Sequence, residues 1–512
     1  MQATEHFRNS YARERSIFPG LVLMAFALSV AGFFLLFSTG SFDSYQYLYL
    51  VPWLSGLALV MAVPMIVLFY QGRFTFVDPL VFATLSYFFP AFVVGGLFFA
   101  VGLSQPSFSN LIQDARTTLP LTVVLIGLGY AGLAFGYMLP IGKKVGTIAS
   151  RWLPVADYSP RSLIFPSILL LLSGMLITFF TLILGRFGYQ RASDFGTYDG
   201  LIFFTTLFWA QAAFVLWSII FRHKKLDFVF FPIILLLALT SLTKFLYSGS
   251  RGNIIQVFLI VTFSFIFSGR RFSIKQGAVA GFLLTLGLTV GMIYGTTFRN
   301  VKGNEESVSA EKYTENVFQT VDEVGKNDVY DTLIFGAVNF TERVDVLSTL
   351  AVVVSTYEQL APYEEAYGLD NNIWVEMTTF MIPRVVWPDK PVVSDARKYS
   401  DLYFNYGGSS YAVTPIGDLL RNYGIIGVPI GMFLLGLLLR VAYCSLAELQ
   451  NPPIWRLTLY FMLLTSVSYE GFYGTIIPVL FKIGLTAVVG IVFVNAVAKR
   501  IDRGRLTQQV RS

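Results

Sequence analysis

The sequence predicts an all-α polytopic membrane protein with about twelve transmembrane helices. The chain has 512 residues, of which 55% are hydrophobic and only 13% are charged, and its mean hydropathy is +0.63. Soluble domains carry about 25% charged residues, so lipid is the main solvent of this chain. Backbone groups in lipid must satisfy their own hydrogen bonds, and this favours helices for every span.

Spanning a bilayer takes about 20 apolar residues, and twelve stretches approach this length. They lie near 17–37, 48–70, 78–103, 118–140, 163–184, 201–221, 227–246, 252–268, 275–297, 424–446, 455–473 and 475–497. The first stretch is longer than the apolar region of a secretory signal and has no cleavage site after it, so we expect a span. The single cysteine, Cys444, excludes an internal disulfide.

Basic residues fall in every second connection, which sets the expected orientation. The basic segments are Arg8–Arg15, Arg73, Lys143–Arg161, Arg222–Lys225, Arg270–Lys275 and Lys499–Arg511. Because Lys and Arg concentrate in cytoplasmic loops, we expect both termini to be cytoplasmic and the other connections to be external.

The predicted organisation has three parts. Residues 1–297 form a membrane bundle of nine spans, and residues 424–512 form spans ten to twelve with a basic tail. Between them, 298–423 form one external loop with nineteen acidic and ten basic residues. The loop is too long for a simple connector, so we expect an ordered subdomain with helices near 330–360 and 371–382.

The motifs of many soluble enzymes are missing. The chain has no phosphate-binding P-loop, no H-E-x-x-H and no paired C-x-x-C. Its two histidines, His6 and His223, both lie in predicted cytoplasmic segments. We therefore expect no metal, no cofactor and no nucleic-acid partner, and any external chemistry must use carboxylates, arginines, lysines, tyrosines or backbone groups.

Several external cations break the positive-inside pattern and are candidate ligands of an anionic substrate. The strongest is Arg251 in SGSRG (248–252), where small residues open a helix whose free N–H groups would point at phosphate oxygens. The alternative is a flexible turn whose arginine reaches lipid headgroups. The other candidates at external ends of spans and in the loop are Lys244, Ser250, Arg186, Arg191, Arg299 and Arg343.

A second constellation is IPRVVWPDKP (382–391), in which prolines frame Trp387 and cations flank it. An aromatic ring beside charged groups suits stacking on a sugar and binding its hydroxyls. Arg384, Trp387 and Lys390 are therefore predicted substrate-binding residues.

Carboxylates near the external face are candidate proton acceptors. Asp418 precedes span ten, and Glu376 lies in the loop, so both are predicted catalytic residues beside Arg251. The alternative for Asp418 is an i,i+3 ion pair with Arg421, itself a substrate-binding candidate. Glu470, predicted late in span eleven, would be either a substrate ligand or the partner of a loop arginine.

The order of these parts resembles the O-antigen and capsular polysaccharide polymerases (Wzy type, the oligosaccharide repeat unit polymerases). SGSRG, IPRVVWPDKP and GDLLRNYGIIG (417–427) carry the resemblance, together with a large late external loop. It implies a GT-C-like fold in the bacterial inner membrane and inverting glycosyl transfer at the periplasmic face. The donor would be an oligosaccharide on undecaprenyl pyrophosphate, with Arg251 on the pyrophosphate.

The resemblance also implies partners and leaves alternatives open. Besides the lipid-linked oligosaccharides and the bilayer, the partners would be the chain-length regulator and the flippase of the same pathway. An O-antigen ligase would use the same donor with another acceptor. A transporter or flippase of lipid-linked glycans would show paired repeats and mid-membrane charges, neither of which is evident in the sequence.

Overall fold

Every regular element in the described part of the chain is helical, as the composition predicts. The structure is a computed structural model, and it describes residues 47–154, 158–185, 199–223, 228–249, 251–270, 273–303, 308–326, 340–382, 386–408, 410–449 and 451–511. The helices are, in chain order, α1 Val51–Tyr70, α2 Pro79–Ala100, α3 Ala115–Met138, α4 Pro140–Trp152, α5 Pro160–Ile183, α6 Asp199–Thr206, α7 Phe208–Arg222, α8 Phe231–Ser248, α9 Arg251–Phe267, α10 Ile274–Lys302, α11 Ala310–Lys326, α12 Val346–Tyr367, α13 Asn372–Thr379, α14 Ala396–Phe404, α15 Pro415–Leu446, α16 Ile454–Ser466 and α17 Tyr473–Arg511.

Nine helical segments of the described residues are long and apolar enough to cross a membrane. They match nine of the predicted spans, which confirms an all-α membrane protein. The predicted span at 17–37 lies outside the described residues. These nine are Leu48–Tyr70, Pro79–Ala100, Ala115–Met138, Pro160–Ile183, Ile202–Arg222, Phe231–Ser248, Lys275–Lys302, Pro415–Leu446 and Tyr473–Arg503.

Two predicted spans are shorter than expected. The stretch predicted at 252–268 is α9, which has 17 residues, and the one predicted at 455–473 is α16, which has 13. The sequence placed Glu470 inside a span, and this is wrong, because α16 ends at Ser466 and residues 467–472 are not helical. The backbone there bonds elsewhere: the Val413 amide donates to the Glu470 carbonyl at 3.0 Å.

The closest packing in the bundle joins α3 and α15. A Cβ added at Gly132 or Gly136 of α3 would overlap the backbone of α15, and one added at Gly436 would overlap the Leu133 carbonyl of α3. Small residues at such positions let two helix backbones touch, and this drives association in lipid. The contact continues where Gly146 of α4 faces Cys444.

Several helices end together near α4, at what we call the basic end of the bundle: α4, the last turn of α15, the start of α16 and residues 499–503 of α17. Arg440 is 2% exposed and donates to Glu448 at 2.9 Å and to the Tyr137 hydroxyl at 3.3 Å. Arg456 donates to the Leu153 carbonyl at 2.7 Å. These buried arginines fasten the helix ends to each other, since each satisfies groups on another segment.

Part of the predicted external loop packs into the same apolar core as the spans. The first nine residues of α12 are buried on all sides, and Leu347 and Leu350 belong to the cluster formed by α1, α2, α3 and α15. Asp345 caps α12 by accepting from the Ser348 amide at 3.1 Å and also accepts from the Ser104 hydroxyl at 3.0 Å. Burial raises the pKa of Asp345 to about 7.

We expect Gly436→Ala to destabilise the protein, because its new methyl group would strike backbone that cannot move aside. Overpacking of this kind costs about 1–3 kcal/mol. Thermal unfolding in detergent measures it. The matched control is Gly281→Ala in α10, where a Cβ meets nothing within 4 Å. Equal melting temperatures for the two variants would contradict the close packing.

Candidate functional site

A buried cluster of polar and charged side chains lies where α12, α13, α14 and α15 meet. Its α15 residues come from the short first part of that helix, which begins at Pro415 after the capping Thr414 and breaks at Gly424, where φ is 66°. A Cβ added at Gly129, fourteen residues into α3, would lie 3.2 Å from the Ile416 side chain, so this short segment packs beside the middle of α3. The cluster therefore lies inside the protein, away from the end of α3.

Asp418 is 0% exposed and accepts four hydrogen bonds through its carboxylate. Arg421 donates to Oδ1 at 2.9 Å and Asn422 at 3.3 Å, while Asn372 donates to Oδ2 at 3.4 Å and the Gly474 amide at 3.2 Å. The predicted i,i+3 pair of Asp418 with Arg421 is confirmed. The carboxylate of α15 thus also binds α13 through Asn372 and α17 through Gly474. Its predicted catalytic role stays a prediction.

Arg421 is the cation at the centre of the cluster, and its side chain has no exposed surface. It donates to Asp418 and to Glu364 of α12, so two carboxylates share one guanidinium. Tyr403 donates to Glu364 at 2.6 Å. Burial raises the pKa of Tyr403, and the Glu364 carboxylate raises it further, so the phenol stays protonated and acts as a donor.

The faces of the guanidinium are covered by aromatic rings, which adds cation–π attraction in a desolvated place. The carbon atom of the guanidinium lies 5.7 Å from the ring centre of Tyr399, 5.9 Å from Tyr403 and 5.8 Å from Phe472. Two buried groups of this cluster, the Arg421 Nε–H and the Tyr399 hydroxyl, have no hydrogen-bond partner among the described residues. Both are donors that a small polar ligand could use.

The other predicted residues of the loop lie near α13. Lys390 donates from Nζ to the carbonyls of Thr379 at 2.8 Å and Ile382 at 3.3 Å, so it binds the end of a helix. Glu376 is partly exposed on α13, one turn beyond Asn372. Trp387 is 37% exposed. The structure thus brings α13 and Lys390 together beside the Asp418 cluster.

α8 ends and α9 begins within the SGSRG segment, as the sequence predicts. Gly249 has φ 57° and ends α8, and α9 begins at Arg251. Lys244 was expected at the membrane mouth, but it is only 6% exposed, and its ammonium lies 4.3 Å from the centre of the Trp209 ring. Lys244 lies one turn before the end of α8, and its predicted role in substrate binding stays a prediction.

The remaining predicted residues are exposed or lie outside the described residues. Arg299 at the end of α10, Arg343 before α12 and Glu470 are exposed. The structure describes only the backbone of Arg251, because its side chain lies outside the described part of the chain. Its predicted role in binding therefore stays a prediction. Arg186, Arg191, Ser250 and Arg384 lie wholly outside the described residues.

Comparison with known proteins gives one finding. Residues 172–450, more than half of the chain, match the family described as a domain of unknown function (DUF8712), so the chain belongs to that family. No curated protein and no solved structure matched the chain. The matched range ends just after α15 and contains Glu364, Asn372, Asp418 and Arg421.

We expect Arg421→Met to destabilise the protein strongly, because Asp418 and Glu364 then lie buried without their shared cation. Removing one partner of a buried ion pair costs about 3–5 kcal/mol. Neutralising both carboxylates as well, with Asp418→Asn and Glu364→Gln, should restore part of the loss. Thermal unfolding in detergent measures both effects.

The matched control is Lys326→Met, which breaks the exposed pair of Lys326 with Asp322. Exposed pairs contribute little, so no measurable change is expected there. If Arg421→Met melted like the wild type, the cluster would not stabilise the fold.

Proposed function

We propose that the chain is a membrane glycosyltransferase, a polysaccharide polymerase that joins oligosaccharide repeat units carried on undecaprenyl pyrophosphate. One observation carries the proposal: α9 begins at Arg251, two residues after the left-handed Gly249. A helix start with an arginine and small residues suits the oxygens of a pyrophosphate. The resemblance of SGSRG, IPRVVWPDKP and GDLLRNYGIIG to the polymerase family supplies the substrate class.

The surroundings of this helix start support a fixed anion site. The Tyr294 hydroxyl of α10 donates to the Leu246 carbonyl at 2.7 Å, and the Tyr313 hydroxyl of α11 donates to the Tyr247 carbonyl at 2.6 Å. Two neighbouring helices therefore hold the last turn of α8. Arg299, five residues after Tyr294 on α10, adds an exposed cation at the same end.

The chemistry follows from the donor. An acceptor hydroxyl attacks the anomeric carbon, the bond from that carbon to the pyrophosphate oxygen breaks, and a carboxylate takes the hydroxyl proton. Because negative charge grows on the leaving pyrophosphate, a cation such as Arg251 lowers the barrier, and losing one such donor costs about 10²–10³ in rate. The external side of the inner membrane is the expected place for this transfer.

Of the two predicted bases, Glu376 fits better than Asp418. A base must reach the proton of a bound hydroxyl. The Asp418 carboxylate is buried and has four donors. Glu376 is partly exposed on α13, so a substrate outside the core can approach it. We therefore assign Asp418 to positioning and Glu376 to proton transfer.

Deletion of the gene tests the function, with the surface glycan resolved by size. A polymerase predicts single repeat units still attached to their acceptor, whereas a flippase predicts no glycan. Complementation with Arg251→Ala or Arg251→Lys should fail to restore long chains at normal protein level, because neither side chain offers the guanidinium fork. Arg116→Ala, an exposed arginine in the first turn of α3, is the matched control and should restore them. Long chains in the deletion strain would end the hypothesis.

The assignment of the base makes a second prediction in the same assay. Glu376→Gln should abolish chain extension while protein level and melting temperature stay normal. Asp418→Asn should lower the melting temperature, because it weakens the pair with Arg421. If Glu376→Gln supports full-length chains, Glu376 is not the base.

A further inference from the structure

α4 connects the membrane-spanning helices α3 and α5 at the basic end and packs directly against a third spanning helix, α15. A Cβ added at Gly142 would lie 2.9 Å from the Cβ atom of Arg440, and one added at Gly146 would lie 2.7 Å from that of Cys444. Because both glycines face the last two turns of α15, the first half of α4 is level with the end of a membrane-spanning helix.

The second half of α4 stays close to that level. Arg456 at the start of α16 donates to the Ser150 hydroxyl at 2.9 Å and to the Ser150 carbonyl at 3.1 Å. Trp152, the last residue of α4, follows Gly146 by six residues, so it lies at most about 9 Å further along. The headgroup layer on each side of a bilayer is about 5–8 Å thick. The whole of α4 therefore lies within or next to the interfacial layer at the basic end.

The surface of α4 that faces away from α15 divides into two exposed stripes. One, which we call the apolar stripe, consists of Ile141, Val145, Ile148 and Trp152. The other, which we call the cationic stripe, consists of Lys143, Lys144, Thr147 and Arg151. At about 100° per residue, the apolar stripe covers an arc of about 60° and the cationic stripe an arc of about 100°, and the two arcs do not overlap.

The cationic stripe has no counter-charge within the described part of the chain. Residues 139–154 contain no Asp or Glu. None of Lys143, Lys144 and Arg151 forms an ion pair with a carboxylate of the described residues. Anionic phosphates at a membrane surface attract basic residues that lie within a Debye length. Such phosphates would supply the missing negative charge.

The apolar stripe continues the lipid-facing surface of α3. Phe135 and Met138, on the last turns of this spanning helix, are exposed, and Pro140 between them and Ile141 is exposed and also apolar. Trp152 at the far end is 86% exposed, and tryptophans concentrate at membrane interfaces. A helix with one apolar side and a polar side rich in Lys and Arg is typical of the membrane surface. Lipid is therefore the occupant that fits both stripes.

We propose that α4 is an interfacial helix. Its apolar stripe enters the leaflet at the basic end, and Lys143, Lys144 and Arg151 bind the phosphates of anionic lipids there. The inference does not depend on the proposed function.

Site-directed spin labelling of the full chain in lipid nanodiscs tests the apolar stripe. Cys444→Ser removes the single native thiol, and Val145→Cys or Ile148→Cys then places a nitroxide on the apolar stripe. Thr147→Cys, an exposed position between them on the cationic stripe, is the matched control. Collisions with oxygen, which enters lipid, are compared with collisions with the water-soluble, uncharged nickel complex NiEDDA. We expect the labels at 145 and 148 to favour oxygen several-fold relative to the label at 147.

Two results would overturn this placement of the apolar stripe. Equal ratios of oxygen to NiEDDA collisions at 147 and 148 would mean that the two stripes share one environment. Protection of the labels at 145 and 148 from both reagents would mean that another protein covers the apolar stripe.

The charge of the lipid tests the cationic stripe. NiEDDA collisions at 148 should be several-fold lower in nanodiscs of phosphatidylglycerol than in nanodiscs of phosphatidylcholine, because only the former carries net negative charge and draws the helix to the surface. This difference should be lost in the triple variant Lys143→Gln, Lys144→Gln and Arg151→Gln. The matched control removes the same charge from exposed positions of α3, α11 and α14, with Arg116→Gln, Lys326→Gln and Lys398→Gln, and should keep the difference. Equal collisions in both lipids, or a difference that survives in the α4 variant, would refute binding of anionic lipid by the cationic stripe.

Discussion

The direct contact of the α3 and α15 backbones is the constraint on which much of the structure depends. Gly132, Gly136 and Gly436 leave no side chain between the two helices, so their relative position is fixed by backbone atoms. In lipid this is a strong restraint, because dispersion contacts replace the hydrophobic force that water would supply. α15 then presents Arg440 at the basic end and Arg421 at the other, each buried among partners.

The break at Gly424 divides α15 into a polar first part and an apolar second part. Beyond the break, the exposed side chains of the helix are apolar and the helix is long enough to cross the membrane. Before the break, Pro415–Tyr423 carries Asp418, Arg421 and Asn422. A straight helix would expose these polar groups along one lipid-facing line. Gly424 adopts φ 66°, a conformation that other residues rarely adopt, and turns the polar segment onto α3 and α12. The polar groups then satisfy one another inside the protein.

How much the sequence could predict depends on the kind of interaction. Hydropathy located the spans, because burial in lipid leaves an apolar run, and spacing located the pair of Asp418 and Arg421. Hydropathy overestimated α16, since Val467, Tyr469 and Phe472 extend its apolar run, but residues 467–472 are not helical and the Glu470 carbonyl accepts from the segment before α15. Glu364 was missed. Fourteen residues, close to four helical turns, separate it from the buried Leu350, so it shares the inner face of α12, but only the fold identifies its partner.

Asn372 links the ion cluster to the start of α13 and to Ser394. Its amide nitrogen donates to Asp418 and Ser394, and its amide oxygen accepts from Arg421 at 3.3 Å and from Asn422 at 2.9 Å. Asn372 is the first residue of α13, so its bonds to Asp418, Arg421 and Asn422 hold the start of that helix in place. Two carboxylates with one guanidinium leave an excess negative charge, which favours a full set of donors from Asn372 and Gly474. The cluster thus fixes where α13 starts, and α17 fixes where it goes.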